Sequence, residues 1–272
     1  MWPASRSTSI TLRAELGDKT DMIHGVRAVV EHDLRVFCKY RFTLAGLISM
    51  NLADLLIMGV VFTRMVSFNY FQFLAPGVTA TGLFAAAFLI GREVNMETRR
   101  GYNEYLLSLP LRRSELVLGR VTAGGVRGII YATPLLILAM LILKFPTPAQ
   151  FGLMLFAMYL LSMGISGLAI SLAVALRSFE RFTTARSLLY LLLIFCSTVF
   201  YPLSVLREIL PGSLILFAQL NPLSAVSDLI RGYLIGVPPV TTQSWTELLA
   251  FSGIFIMVGA GLYRVAIERS VQ

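Results

Sequence analysis

Charged side chains are scarce in this sequence of 272 residues. They make up 14% of the chain, whereas a soluble domain carries about 25%. Hydrophobic residues make up 56%, and the mean hydropathy is +0.75. This composition excludes an ordinary soluble domain and predicts an integral membrane protein.

Reactive side chains are scarce as well. The two cysteines, Cys38 and Cys196, lie far apart, and the two histidines, His24 and His32, form no His-Glu-x-x-His motif. No lysine follows a glycine, so the chain lacks the phosphate-binding Gly-Lys-Ser/Thr motif. We therefore expect no catalysis, no metal and no bound cofactor, and any nucleotide energy must come from another subunit.

Long apolar runs are what the sequence has in abundance. A helix needs about 20 predominantly apolar residues to cross a membrane. We predict an all-α integral membrane protein with six transmembrane helices, formed by residues 42–63, 71–90, 116–143, 151–176, 187–201 and 247–263.

The basic residues indicate how these helices are oriented. A formal net charge of +8 is also found in nucleic-acid-binding proteins, but most of the 23 Lys and Arg residues fall on one side of the predicted spans. The positive-inside rule then places both termini, including residues 266–272, in the cytoplasm, as in a cell-membrane protein. This distribution predicts membrane lipid, and not nucleic acid, as a partner.

Two segments precede the first span. Residues 1–20 are polar and rich in Ser and Thr, which predicts a mobile cytoplasmic tail. In residues 21–41, apolar side chains recur every three or four positions at Ile23, Val26 and Val30, which indicates an amphipathic helix. We expect this interface helix to lie along the inner membrane surface, with its basic side chains among anionic head groups.

The region 202–236 is apolar but interrupted by several prolines. A single crossing would place the C-terminal arginines outside, and two crossings would leave each half too short. We predict a re-entrant pair of short helices that enters the membrane from the outer side and returns. Asp228 and Arg231 are three residues apart, so they can pair either as a helix-stabilising ion pair or as part of an outer gate.

Two charged residues lie well inside predicted spans. Asp54 and Arg127 are at similar depths along the first and third spans, at about 1.5 Å of rise per residue. Since a lone charge within a membrane is costly, we predict an ion pair between them. A proton-relay role for Asp54 is the alternative.

Two predicted spans carry small residues at four-residue spacing. They are Gly124 and Gly128 in the third span and Ser162 and Ser166 in the fourth. This spacing permits close helix contacts, and we expect those contacts within the chain rather than at a dimer seam.

The charged block between the second and third spans is the candidate docking element. Residues 96–109 have the pattern of a short amphipathic helix, with Tyr102 and Tyr105 on its apolar face. Glu97 and Glu104 make the same stretch acidic. We interpret it as a docking surface for another protein.

Several short motifs occur in an order that resembles a known family. In chain order they are Glu97-x-x-x-Gly101-x-x-Glu104, Leu106-Leu107-Ser108-Leu109-Pro110, Phe200-Tyr201-Pro202 and Asn221-Pro222. Over residues 22–265 the chain resembles the permease subunits of ABC-2 type transporters. The resemblance is to the branch of daunorubicin-resistance and nodulation-factor exporters in particular.

The resemblance implies an ABC-2 transmembrane domain at 42–265, with a coupling helix in the cytoplasmic loop 92–115 and outer re-entrant helices at 202–236. It implies an exporter of a drug, a lipid-linked molecule or a glycan. The permease would pair with a second permease chain, identical or related, and with two ABC ATPase subunits that carry ATP and Mg. The site residues it implies are Glu97, Arg100, Gly101, Tyr102, Glu104, Tyr105 and Pro110 for ATPase docking, and Pro202, Asn221, Pro222, Asp228 and Arg231 for the outer signature.

A secondary active transporter driven by an ion gradient is the competing hypothesis. Such a transporter is expected to show inverted repeats and several intramembrane carboxylates. The sequence shows no clear repeat, and Asp54 is the one carboxylate well inside a predicted span.

Overall fold

A computed structural model describes residues 6–39, 41–66, 68–100, 112–176 and 178–269. Within these ranges every regular element is an α-helix. In chain order they are α1 (Arg6–Lys39), α2 (Arg41–Thr63), α3 (Tyr70–Arg99), α4 (Arg113–Ile142), α5 (Pro148–Ala175), α6 (Phe179–Phe195), α7 (Leu203–Ile209), α8 (Gly212–Gln219), α9 (Pro222–Leu234) and α10 (Thr242–Arg269).

Helix α1 begins earlier than the sequence pattern indicates. The interface helix was expected to start at Asp21 after a mobile tail, but the chain is helical from Arg6 onward. No proline interrupts the sequence between Arg6 and Lys39, so nothing in the backbone stops the helix from extending.

One face of α1 packs lengthwise on α4. Its buried residues are Gly25, Val29, Asp33 and Phe37, which recur every fourth position and so lie one above the other. Gly25 lies against Glu115 and Val29 against Gly119. Helices α1 and α4 therefore run side by side in the same direction.

Five helices are long and apolar enough to cross a membrane. These candidate spans are Leu44–Thr63, Tyr70–Arg99, Ser114–Ile142, Pro148–Ala175 and Thr242–Ile267. Helices α8 and α9 are bent by 59° relative to each other and add a sixth span if they cross together. The predicted all-α membrane architecture is thus confirmed at this level.

The predicted span 187–201 takes a different form. Helix α6 begins at Phe179 and ends at Phe195, and the chain turns between residues 196 and 201. Its 17 residues extend about 25 Å, which is less than the roughly 30 Å of a hydrocarbon core. Five of the six predicted spans therefore coincide with candidate membrane helices, and the span at 187–201 overlaps the shorter helix α6.

Helix α3 lies at the centre of the bundle. Of the residues in its most apolar stretch, 89% are buried, compared with 17% in α2 and 22% in α10. Helix α3 packs against α2, α4 and α5. Small side chains allow these close contacts: a Cβ atom on Gly91 would lie 2.5 Å from the carbonyl oxygen of Ala169. The core of the molecule is therefore built around α3.

Small residues also bring α4 and α5 together. The hydroxyl of Ser162 donates to the carbonyl of Gly124 at 3.0 Å. A side chain on Gly124 would overlap Ser166, and one on Gly128 would overlap Ser162. The prediction that these four residues make contacts within the chain is confirmed.

The three short helices α7, α8 and α9 lie at one end of the bundle. The segment begins at Val199, which contacts Gly77 near the start of α3. It ends at Gly236, which shares a pocket with Lys144 and Phe145 just after α4. Both ends of the segment are therefore at the end of the bundle where α3 begins and α4 ends.

The opposite end holds the charged block. Helix α3 continues through residues 92–99, and α4 begins at Arg113, so much of the expected loop 92–115 is helical. Residues 101–111, which include the greater part of the candidate coupling helix at 96–109, lie outside the described residues.

Candidate functional site

A group of five buried or half-buried charged residues joins three helices. We call it the Arg120 cluster, and it consists of Asp33 on α1, Glu93 and Glu97 on α3, and Arg120 and Arg127 on α4. These residues meet because α1 packs on α4 and because α3 continues as a helix beyond the apolar run of the second predicted span. The cluster is the most extensive ionic arrangement that the described residues show.

Arg120 connects two carboxylates that belong to different helices. Its Nη2 lies 2.6 Å from Glu97 Oε2, and its Nη1 lies 3.2 Å from Asp33 Oδ1. The side chains of Arg120 and Asp33 are 3% and 2% exposed. Because both are almost fully removed from water, each needs the other to offset its cost of desolvation.

Arg127 is fully buried two helical turns further along the same face of α4. Its Nη1 lies 2.7 Å from Glu93 Oε2, and its Nη2 donates to the backbone carbonyl of Asp33 at 2.6 Å. The guanidinium carbon is 5.3 Å from the ring centre of Phe37 on α1. Arg127 therefore ties α1 and α3 to α4 a second time.

The ion-pair partner of Arg127 is Glu93 rather than the expected Asp54. The sequence pattern ended the second span at Ile90, so Glu93 was assigned to a loop and was not considered as an intramembrane partner. Helix α3 instead continues to Arg99 and brings Glu93 to the level of Arg127.

The polar groups of the cluster are not all satisfied. The Nε atoms of Arg120 and Arg127 have no hydrogen-bond partner among the described residues. The same holds for the hydroxyl of Tyr263 on α10, which is buried beside Arg120. Each guanidinium group of the cluster therefore keeps one donor that no described residue accepts from.

Glu115 fixes the start of α4 beside this cluster. Its carboxylate accepts a hydrogen bond from the backbone N–H of Arg112 at 2.9 Å, as a glutamate at the third position of a helix often does. Its side chain is 4% exposed and lies against Gly25 of α1, where a larger residue would collide with it. The first turn of α4 is thus held against α1.

The predicted ATPase-docking residues fall into two groups. Glu97 has its carboxylate on Arg120, inside the chain, and is 26% exposed. Arg100 is exposed and ends α3, its backbone N–H donating to the carbonyls of Met96 and Glu97. The others lie outside the described residues: Gly101, Tyr102, Glu104, Tyr105 and Pro110.

A second cluster lies at the other end of the bundle, around Arg231 on α9. We call it the Arg231 cluster, and it consists of Thr198, Asn221, Ser224, Asp228 and Arg231. The Nη1 of Arg231 lies 2.6 Å from Asp228 Oδ1, so the predicted pair is present.

Arg231 also binds two backbone carbonyls. Its Nε donates to Phe73 on α3 and its Nη2 donates to Val199, each at 2.9 Å. Its guanidinium carbon is 3.8 Å from the ring centre of Phe73, and the side chain is fully buried. The planar guanidinium thus holds α9 against the start of α3 and against the turn after α6.

Asn221 connects α6 with α9. Its amide nitrogen donates to the carbonyls of Leu193 and Cys196 at 2.7 and 2.8 Å, and its side-chain oxygen accepts from the N–H of Leu223 at 3.0 Å. It therefore satisfies the end of one helix and the start of the next. Pro222 follows as the first residue of α9.

Two members of the Arg231 cluster are not among the predicted site residues. Thr198 donates its hydroxyl to Asp228 at 3.0 Å, and Ser224 accepts from the backbone N–H of Thr198 at 2.9 Å. Ser224 belongs to the motif Asn221-Pro222-Leu223-Ser224, whereas Thr198 belongs to no motif, and only the contact between the turn and α9 reveals it. Pro202, which the signature includes, immediately precedes α7.

Asp54 stands apart from both clusters. It is half-buried on α2, next to the buried Leu55, and makes no ion pair or hydrogen bond with another residue in the described part of the chain.

Comparison with known protein families gives one match over most of this chain. The family described as ABC-2 type transporter matches residues 24–235, which include α1 from its buried face onward and every helix through α9. Both arginine clusters lie within the match, apart from Tyr263 beside the first. Comparison with curated proteins gives no match.

Proposed function

Since the chain belongs to the ABC-2 type transporter family, and is therefore a membrane component of a transporter, we propose that it is the permease of an ATP-driven exporter. The energy comes from ATP and Mg bound by a separate ABC ATPase, with two ATPase copies in each complex. A second permease chain, identical or related, completes the assembly in the cell membrane.

The Arg120 cluster is the observation that carries this proposal. Glu97 precedes residues 101–111 and Arg120 follows them, and the two side chains are joined at 2.6 Å. A force applied to those intervening residues therefore acts on the end of α3 and the start of α4 together. Because Asp33 binds the same arginine, α1 moves with them.

Docking on the ATPase is assigned to the residues between these two helices. Gly101, Tyr102, Glu104, Tyr105 and Pro110 form the surface for the ATPase in this proposal. Glu97 transmits the motion rather than receiving it, because its carboxylate is engaged by Arg120.

The orientation follows from the basic residues. With the start of α4 on the cytoplasmic side, both termini are cytoplasmic and the Arg231 cluster lies at the outer end. Helices α8 and α9 then form a re-entrant pair, and the contacts of their segment at a single end of the bundle support this arrangement. The sixth crossing is then α6, because the chain before it lies beside Asn95 near the end of α3 and Val199 after it lies against Gly77 near the start of α3. The bonds of Arg231 to Phe73 on α3 and to Val199 in the turn after α6 close the outer end in this proposal.

A transporter driven by an ion gradient is the second candidate. The unpaired Asp54 on α2 favours it, because intramembrane carboxylates carry protons or sodium ions in such transporters. It predicts transport that needs no ATPase and that stops when Asp54 loses its charge.

The deciding experiment compares the intact permease with a variant whose residues 101–110 are replaced by a Gly/Ser linker. Each is purified in detergent together with the candidate ATPase, and ATP hydrolysis is measured. We expect the intact chain to retain a catalytically active ATPase, and the linker variant to remain monodisperse without it. An intact permease that transports in vesicles without ATP, on a proton or sodium gradient alone, contradicts the exporter.

A further inference from the structure

A cavity lies at the end of the bundle where α4 ends, α5 begins and α9 ends. We call it the Lys144 cavity, and its volume is about 260 Å³. One wall is the turn between α4 and α5, with Lys144, Phe145 and Gln150, and the other wall is formed by residues 232–236 at the end of α9. Since two candidate membrane spans end and begin at this turn, the cavity lies at the level where the chain leaves the hydrocarbon.

The wall formed by α9 presents backbone acceptors that the chain does not satisfy. Gly236 has a φ of +82°, and its N–H donates to the carbonyl of Gly232 at 3.1 Å, as in a common helix C-cap. The carbonyls of residues 233–235 accept no hydrogen bond from any residue that the structure describes. The last two of these carbonyls lie four positions before Pro238 and Pro239, which have no N–H to donate. These acceptors stand at the negative end of the helix dipole.

The opposite wall carries hydrogen-bond donors and a positive charge. Lys144 is exposed and forms no ion pair with the part of the chain that the structure describes. The side-chain oxygen of Gln150 accepts from the N–H of Thr147 at 3.0 Å, and its amide nitrogen donates to no described residue. This wall therefore offers an ammonium group and an amide as donors.

The two walls together select a ligand that carries both charges. A purely anionic ligand is attracted by Lys144 and disfavoured by the end of α9, and a purely cationic ligand meets the reverse. A molecule with an ammonium group next to a phosphate places one charge on each wall. The volume is below the roughly 300–1,000 Å³ of sites for drug-sized molecules, so the cavity suits a small head group and not a whole amphipathic drug.

The surface around the cavity is apolar. Phe145 is 64% exposed, Ile235 41% and Val237 69%. Exposed apolar side chains beside a polar cavity at the end of a span are suited to a ligand that is itself polar at one end and apolar at the other. A lipid of the surrounding membrane has this form, whereas a free soluble zwitterion does not.

We propose that the Lys144 cavity binds the phosphoethanolamine head group of a membrane phospholipid. The ammonium group of the lipid donates to the carbonyls of residues 233–235, and its phosphate accepts from Lys144 and Gln150. Its acyl chains lie against Phe145 and the other exposed apolar side chains. This site goes beyond the exporter proposal, since it requires neither an ATPase nor a transported substrate.

The test compares phospholipids that differ only in their head groups. Dioctanoyl forms of phosphatidylethanolamine, phosphatidylcholine and phosphatidylglycerol are titrated onto the purified full-length permease in detergent, and the first binding constant is measured by native mass spectrometry. We expect phosphatidylethanolamine to bind at least about tenfold more tightly than the other two. The methylated ammonium of phosphatidylcholine has no N–H to donate, and phosphatidylglycerol has no ammonium. Glycerophosphoethanolamine, which lacks acyl chains, is expected to bind at least about tenfold more weakly than the lipid.

Variants assign the binding to the cavity. Lys144→Gln is expected to weaken both phosphatidylethanolamine and phosphatidylcholine about tenfold, because both carry the phosphate. Lys144→Arg keeps the cation and is expected to bind as the unaltered chain does. Arg207→Gln, which removes an exposed cation on α7 outside the cavity, is the matched control and is expected to change neither constant.

Each other result would overturn the site. Equal binding of phosphatidylethanolamine and phosphatidylcholine would show that water and not an ammonium group satisfies the carbonyls of α9. Unchanged binding in Lys144→Gln, or an equal loss in Arg207→Gln, would place the lipid elsewhere on the surface. Glycerophosphoethanolamine that binds as tightly as the lipid would make the ligand a soluble molecule. None of these measurements involves an ATPase, so the exporter proposal does not depend on them.

Discussion

Glu97 on α3 and Arg120 on α4 form an ion pair of 2.6 Å, although 22 residues of chain separate them, including residues 101–111. The pair joins the end of α3 to the part of α4 that packs on α1.

Arg120→Ala is expected to destabilise the permease by about 3–5 kcal/mol, because Asp33 is left buried without its cation. The measurement is the temperature at which the monodisperse chromatographic peak is lost in detergent. Arg99→Ala, at the exposed end of α3, is the matched control and is expected to change this temperature little. Equal effects of the two variants would mean that the cluster does not stabilise the fold.

Charge reversal distinguishes the role of Glu97 from that of Glu104. Glu97→Lys is expected to lower the thermal stability of the permease alone, because it places a second cation beside Arg120. Glu104→Lys is expected to leave that stability unchanged and to weaken ATPase binding, as a docking residue would. If Glu97→Lys is as stable as the unaltered chain and only loses the ATPase, Glu97 is a docking residue after all.

Neutralising Glu93 tests the partner of Arg127. Glu93→Gln is expected to cost roughly 1–3 kcal/mol, because the fully buried guanidinium loses its charged partner and keeps only a neutral one. Asp54→Asn is expected to have little effect on the same thermal measurement, since Arg127 does not depend on it. If Asp54→Asn lowers the thermal stability more than Glu93→Gln does, the partner of Arg127 is Asp54 and not Glu93.

Arg231→Lys preserves the charge but removes the planar fork. An ammonium group cannot reach Asp228 and the carbonyls of Phe73 and Val199 together, so about 2–3 kcal/mol of stability is expected to be lost. Arg207→Lys, on the exposed side of α7, is the control. A lysine variant at 231 with unaltered thermal stability would show that charge alone holds α9 in place.

Close helix contact can be tested with two glycines. A Cβ atom on Gly119 would lie 2.6 Å from that of Val29, so Gly119→Ala is expected to push α1 away from α4 and to lower thermal stability. Gly152→Ala meets no atom within 4 Å and is expected to be neutral or stabilising by up to about 1 kcal/mol. Stabilisation by both substitutions would contradict the packing of α1 on α4.

Composition and apolar run length were sufficient to predict an all-helical membrane protein. The apolar runs of the sequence did not predict where the helices end, because a buried salt bridge lets a helix continue through charged residues. Helix α3 does so from Arg92 to Arg99, where Glu93 and Glu97 each meet an arginine of α4. The partner of Arg127 was missed for this reason.

The interface helix shows a related limit. The apolar repeat at Ile23, Val26 and Val30 predicts its apolar face, whereas the face that packs on α4 contains Gly25 and Asp33, and Ile23 is 64% exposed. A glycine and an aspartate carry no hydrophobic signal. Only the facing residues on α4 explain why they are buried.

The Arg231 cluster was partly predictable because some of its contacts are local. The spacing of Asp228 and Arg231 was enough to predict their ion pair. The bonds of Arg231 to Phe73 and Val199 connect parts of the chain that are distant in sequence, and no periodicity indicates them.

The enclosure of α3 has a consequence for biosynthesis. Its surroundings come from α2 before it and from α4, α5 and α9 after it, so most of its partners are made later on the ribosome. Until α5 has been synthesised, Gly91 lacks Ala169, against which it packs. Until α9 has been synthesised, the carbonyl of Phe73 lacks the guanidinium of Arg231. A nascent chain that ends after α3 therefore leaves unpacked the small-residue surfaces that the complete fold buries.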